Sequence, residues 1–246
     1  VEAVAMDSDP RFRAITGNIV FPGFTAPKVD WVRKNEPDVF AKISKVLLPK
    51  DYLRLFLTGE HVSEMSDAAG TAWLDTGARD WSDDLLVAFH LTRNQMPSLV
   101  EGSAVSGTLR ADLAAELGLP QAAVAGGAGD NAAAGIGAGV VKDGTGFVSL
   151  GTSGVLFAAN AGYRPDPATA VHTFCHAVPQ TWHQMGVILE ATDALNWLAN
   201  LTGQSAVDLT KDLGDVVAPS KTLFLPYLGG ERTPHNNAQM RGQFLH

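Results

Sequence analysis

The sequence predicts a mixed α/β chain in two parts, and three observations carry that prediction. Through the first 120 residues, segments with helical apolar spacing are interleaved with short extended runs. From about residue 145, short alternating runs joined by tight turns follow one another as antiparallel strands. Between them, residues 122–141 are almost entirely Ala, Gly and Val, which places a boundary at 141–146 and divides the chain into 1–141 and 142–246. With 246 residues, the chain can form one large domain or two modest ones with a real core.

Taken in order, residues 20–28 hold Pro22, Gly23 and Pro27 and read as a loop. Val29, Val32, Val39, Phe40 and Ile43 approximate helical spacing around a break at Pro37. KVLLP (45–49) reads as a short buried strand, and residues 51–60 as a helix capped by Asp51 and ended by Gly59. Ser82, followed by two acids and an apolar run, opens another helix. Residues 97–106 read as loop, and 111–119 as a short amphipathic helix ending at Gly118. A strand over 122–126, a Gly turn and a helix from near Asn131 come next; the small residues of that helix would let another backbone approach. Three or four strands follow in GFVSLGTSGVLFAAN, AVHTFCHAVP and TWHQMGVI. EATDALNWLANLTG is a helix, and TLFLPYLGGERTPHNN a strand running into a polar loop.

Composition narrows the function classes. Hydrophobic residues make up 46% and charged residues 18%, an ordinary globular balance. A net charge of −8 argues against nucleic acid as the main partner, though not against a single nucleotide, which needs few contacts. No apolar run approaches the ~20 residues of a membrane span, and the first residues carry no secretory h-region, so a cytoplasmic protein without a membrane partner is expected. Cys175, the single cysteine, excludes an internal disulfide and fits a reducing compartment.

Four places could carry chemistry. Asp130 lies between a Gly turn and a helix start, where amide N–H groups and the helix dipole favour an ionised carboxylate able to accept a proton. The same position suits a plain helix cap. SLGTSG (149–154) is a hairpin whose tip offers N–H groups and hydroxyls to phosphate oxygens, although its residues are also ordinary turn formers. It lacks the Lys and following helix of a Walker A loop. His172, Cys175, His176 and His183 suggest a metal, but on one extended strand Cys175 points away from His172 and His176, and no second Cys pair is near. Glu231, Arg232 and His235 sit in a polar loop that is either functional or merely solvated.

Together these stretches resemble the FGGY carbohydrate kinase family, most closely its xylulokinase branch. GFTAPKVDWVRKN (23–35) is similar to the family's first signature through Lys28 and Trp31. AGGAGDNAAAGIGAG (125–139) resembles the segment bearing the proton-accepting Asp, which falls on Asp130, and SLGTSG resembles the phosphate hairpin that opens the second domain. KVLLPKDYLRLFLTGE, SDAAGTAWLD and LPYLGGERTPHNN point to the narrower branch.

The resemblance implies a ribonuclease-H-like, actin-type ATPase fold of two domains around a cleft, both incomplete in this chain. Residues 1–141 would be the remainder of the sugar-binding domain, and 142–246 the first part of the nucleotide-binding domain. It implies transfer of the ATP γ-phosphate to a ketopentose, D-xylulose giving the 5-phosphate. Asp130 would be the proton acceptor and Asn131 a hydrogen-bond partner of the sugar. Gly151, Thr152, Ser153 and Gly154 would hold the terminal phosphates with Mg²⁺ bridging them. Features the family carries outside these stretches, an Asp-x-Gly-Thr-type hairpin, a Met-His pair and an adenosine loop, find no match. The second signature begins at Gly242 and Phe244 but meets His246 where Gly is expected, so an internal piece, inactive alone, is expected. The alternatives are another kinase of the family, acting on ribulose, fuculose, rhamnulose, glycerol or gluconate, or a non-catalytic ligand-binding module on the same scaffold. Nothing selects between a monomer and a homodimer.

Overall fold

A computed structural model describes all residues except 216, 217 and 219. Among the described residues no helix is long and apolar enough to cross a membrane. The first half is built from short helices and paired strand fragments around a cluster that includes Phe12, Trp73, Leu74, Trp81, Leu85, Leu86 and Phe89. Val62–Glu64 pairs parallel with Ser98–Val100, and Val105–Thr108 pairs antiparallel with Ala123–Ala125. The second half is dominated by a four-stranded antiparallel sheet in the order 146–150, 154–160, 182–188, 172–175. In Trp182–Ile188 burial alternates, so His183, Met185 and Val187 face inward together. The helix Asp130–Gly137 lies against that inner face: a Cβ on Gly135 would stand 3.2 Å from the Phe157 ring and 3.4 Å from His176 Nε2. That is the close approach its small residues predict.

Several local signals act as expected. Gly59 and Gly118 end their helices in the left-handed region, and the Ser82 hydroxyl accepts from the Leu85 amide at the start of Asp83–Ala88. Others are overridden. KVLLP forms no strand: Pro49 is the first residue of the helix Pro49–Thr58, where a missing N–H costs nothing. Asp51 is not that helix's cap, a place held by Leu48; it is buried within the first turn, paired with Arg54 at 2.7 Å. The helix Thr25–Asn35 starts inside the expected loop, because Pro27 falls in the first turn, where amides lack intrahelical partners anyway. Within residues 97–106, Ser98–Val100 and the start of Val105–Thr108 are strands, and only residues 101–104 between them form the expected loop.

Contacts across residues 141–146 are extensive. The Asn18 side chain mimics a strand edge, donating to the Thr173 carbonyl at 2.8 Å and accepting from its amide at 2.9 Å. Trp182 Nε1 donates to Thr76 O at 2.7 Å, and Arg79 donates to Thr181 O at 2.8 Å while its guanidinium lies over the Trp182 ring. Cys175 is buried in the cluster of the first half, and its thiol is pushed up to about 12, chiefly because burial removes water from the thiolate, with Arg79 opposing the shift and Glu101, Glu64 and Asp75 adding to it.

Candidate active site

Asp130 is the first residue of its helix, with Gly129 in the cap position. Its Oδ1 accepts from the Asn131 amide at 2.7 Å and from Asn131 Nδ2 at 3.1 Å, so Asn131 orients the carboxylate while the group stays exposed. Asp130 opens onto a pocket of about 90 Å³ lined by Ser66, Asp67, Gly70, Asn131, Phe174, His183 and Met185, with residues 129 and 132. The polar wall comes from the first half and the helix; the apolar floor comes from the sheet.

Behind that wall lies a buried charged network. Glu64, fully buried, accepts from the Ser66 amide at 2.7 Å, from the Asp67 amide at 2.9 Å and from Lys50 Nζ at 3.0 Å. Ser66 Oγ donates to both Glu64 oxygens, at 2.8 and 3.0 Å, and accepts from the Gly129 amide at 2.9 Å. A single side chain therefore links the carboxylate of Glu64 to the residue before Asp130. Arg54, paired with Asp51, donates to the carbonyls of Val62 and Gly126 and fixes the strand end that leads into the turn. Asp67 is held above the usual carboxylate range, chiefly by burial; Lys50 opposes the shift and Glu64 and Asp51 add to it.

The 149–154 hairpin forms with Leu150 opposite Gly154, leaving Gly151, Thr152 and Ser153 at an exposed tip. Gly154 is buried; a Cβ there would meet Ile188 Cγ1 at 2.7 Å. The tip is fixed through its carbonyls: Gly151 O accepts from the Thr192 amide at 3.0 Å and hydroxyl at 2.7 Å, and Thr152 O accepts from the Ala191 amide at 2.8 Å. These donors lead into the helix Asp193–Thr202, so the Thr152 and Ser153 side chains remain free to face solvent. The tip residues do not line the Asp130 pocket.

The remaining candidates separate. His176 Nε2 shares a hydrogen bond with Val140 O at 3.0 Å, His172 stacks on Phe174, and His183 stacks on Phe157. Burial lowers His172 to about 4 and His183 to about 3; Arg232 adds to the first shift, and His176 and His172 to the second. Glu231 is buried and accepts from the amides of Leu189 at 3.0 Å and Arg232 at 2.7 Å, while the Arg232 guanidinium lies over Phe21. The start of that loop is tied to the sheet, whereas residues 234–239 are exposed, with His235 Nε2 sharing a hydrogen bond with the Tyr227 hydroxyl at 3.2 Å. Lys28 Nζ donates to the carbonyls of Gly23 and Phe24 at its own helix start, and Trp31 is half exposed.

Comparison with known proteins places these features in a family. Residues 4–137 match the N-terminal domain of the FGGY family of carbohydrate kinases, and residues 146–246 match its C-terminal domain. The chain is 53% identical over 238 residues to the xylulose kinase of Escherichia coli (strain K12), covering 96% of this chain and 49% of that protein. It is 40% identical over 243 residues to the xylulose kinase of Lactococcus lactis, covering 96% and 48%. A crystal structure described as a xyloylose kinase from Brucella ovis superposes with a TM-score of 0.96 at 63% identity, covering 99% of this chain and 51% of that one. The xylulose kinase structure from Rhodospirillum rubrum gives 0.88 at 30% identity, covering 99% and 51%. The fold is therefore the actin-like ATPase fold shared by these sugar kinases, and the chain spans about half the length of the relatives it matches.

Proposed function

Because the chain belongs to the FGGY family of carbohydrate kinases, we propose that it supplies the proton-accepting and phosphate-holding parts of an enzyme that phosphorylates a ketopentose, D-xylulose first among the candidates. The observation that carries this reading is Asp130. Its carboxylate is exposed at a helix start, oriented by Asn131, and opens onto a small pocket with a polar wall. In that pocket Asp130 accepts the proton of a sugar hydroxyl as the hydroxyl oxygen bonds to the γ-phosphorus and ADP leaves. Phosphoryl transfer through a loose transition state rewards positioning over base strength, so an ionised Asp suffices.

Asn131 orients Asp130 and offers its own amide to the sugar. Thr152 and Ser153 present exposed hydroxyl groups to the terminal phosphates of ATP; Gly151, whose amide donates to the Ser153 carbonyl at 2.9 Å, closes the turn that shapes the phosphate tip, and Gly154 permits the tight packing that supports it. A Mg²⁺ ion would accompany the nucleotide, held by its phosphates. When bound, that ion neutralises phosphate charge. Residues 1–141 form most of the sugar wall and 142–246 the nucleotide wall, with Phe174, His183 and Met185 of the latter also flooring the sugar pocket; closure of one wall on the other excludes water. The free, buried Cys175 fits the reducing cytoplasm in which this reading places the protein.

The test is ADP release by the native gene product that carries this sequence, measured across D-xylulose, ribulose, rhamnulose, fuculose, glycerol and gluconate. Preference for D-xylulose is expected. Equal or higher kcat/KM on another sugar overturns the substrate, and no sugar-dependent ADP release overturns the kinase reading.

A further inference from the structure

The pocket beside Asp130 contains a second carboxylate that proton transfer does not use. Asp67 is fixed at its backbone, whose amide donates to Glu64 at 2.9 Å. Its Oδ2 lies 3.6 Å from Lys50 Nζ, and its Oδ1 lies against Gly129, where a Cβ would stand 3.6 Å away. Glu64 meets the same ammonium but also receives the amides of Ser66 and Asp67 and the Ser66 hydroxyl. Asp67 receives nothing comparable, although its side chain is only 32% exposed. A carboxylate so desolvated is a cost to the fold, and its raised pKa expresses that cost.

The same pocket is lined by a second polar group without a partner. His183 is 2% exposed, yet neither ring nitrogen makes a hydrogen bond to the protein. The Cys175 backbone lies near the ring without reaching hydrogen-bond geometry. The imidazole is neutral throughout the working range, so it presents one donor and one acceptor. The floor between these groups, Phe174 and Met185, is apolar.

Resting on the kinase reading, we propose that Asp67 and His183 are the groups that grip the neutral hydroxyls of the sugar on either side of Asp130, Asp67 accepting from one hydroxyl and His183 completing the bond network of another. An acceptor-only carboxylate next to Asp130 favours a neutral polyol and repels a sugar acid whose carboxylate would enter the same space. The apolar floor meets the carbon backbone of the sugar. Both residues are binding groups, and neither takes the reacting proton.

The experiment is an analogue-by-variant cycle on the native gene product. Asp67→Asn should raise the KM for D-xylulose about tenfold or more, because it weakens a charge-assisted hydrogen bond, while the KM for ATP and the melting temperature hold. Within a panel of singly deoxygenated sugars, one analogue should lose that factor with the wild type and lose nothing further with the variant. An unchanged KM for the sugar, or independent losses for every analogue, overturns the proposal. Should Asp67→Asn fail to fold, Asp67→Ser is read in the same cycle with the same outcomes. A native protein with no sugar-dependent turnover overturns the kinase reading and this inference together; normal turnover with an unchanged KM overturns this inference alone.

Discussion

Replacing Ser66 with alanine tests whether the geometry of Asp130 depends on the buried network behind it. The hydroxyl accepts from the Gly129 amide at 2.9 Å and donates to Glu64 at 2.8 and 3.0 Å. Alanine removes both links. Glu64 keeps the amides of residues 66 and 67 and the Lys50 ammonium, so it is not stranded; the Gly129 amide is. The Gly129 amide is part-buried, so leaving it without an acceptor costs at most what a buried donor costs, about 1–3 kcal/mol. At about 2–4 °C per kcal/mol for a chain of this size, the melting temperature should fall by at most about 12 °C. The kinetic effect has a different origin. Gly129 caps the helix that Asp130 begins, so a freed amide lets the first turn shift, and a misplacement of about 1 Å can cost about 10²-fold in rate. A fall in kcat of about 10–100-fold with an unchanged KM for ATP is expected. The assay is ADP release by the native gene product with D-xylulose, alongside a thermal melt. A Ser66→Ala protein that melts as the wild type does and keeps its turnover refutes the link between Glu64 and Asp130.

Asp130→Asn should abolish phosphorylation of D-xylulose and leave nucleotide binding nearly intact, measured by ADP release and by ATP titration; a variant that keeps most of its turnover removes Asp130 as the proton acceptor. His172 and His183, lowered to about 4 and 3, stay neutral when folded but take up protons when unfolded below their ordinary value near 6.5. The unfolded chain then binds more protons, so stability is present above pH 6.5 and is lost as pH falls through the window toward 4 and 3. At pH 5 each histidine accounts for about 2 kcal/mol of that loss. Thermal melts between pH 7.5 and 5 should show it, and His183→Phe should flatten the slope; an unchanged slope contradicts the assignment. Gly135→Leu should destabilise by about 1–3 kcal/mol through crowding against Phe157 and His176. Gly135→Ala, which gains about 1 kcal/mol of helix propensity, should be near neutral, and chemical denaturation distinguishes the two.

Where a residue's role is set by its near neighbours in the chain, the sequence is readable. The alternation in TWHQMGVI predicts both the strand and its buried face, and Gly59, Gly118 and Ser82 mark helix ends because positive φ and side-chain capping are local properties. KVLLP misleads because a short apolar run has the same periodicity in a strand as in irregular chain packed beside a core. Glu64, Ser66 and Asp67 were invisible as site residues for a stronger reason. SEMSD is an ordinary helix start, and what gives it a function is a hydrogen bond to an amide 63 residues later. His183 was legible only as a member of a metal-like set. Its inward face follows from the alternation, but the pocket above it depends on which helix packs there.

The two parts of the site are supported independently. Asp130 is held from behind by Ser66 and Glu64, within a network rooted in Lys50 and the parallel strand pair. The hairpin tip is held by its own carbonyls against the start of the helix Asp193–Thr202. Between them lies a seam of small residues, Ala132 and Gly135, packed against sheet side chains rather than hydrogen-bonded to them. That apolar packing is local, because elsewhere hydrogen bonds join the two halves: Asn18 to Thr173, Trp182 to Thr76 and Arg79 to Thr181. The residues that fix the start of the Asp130 helix are therefore distinct from those that fix the hairpin tip.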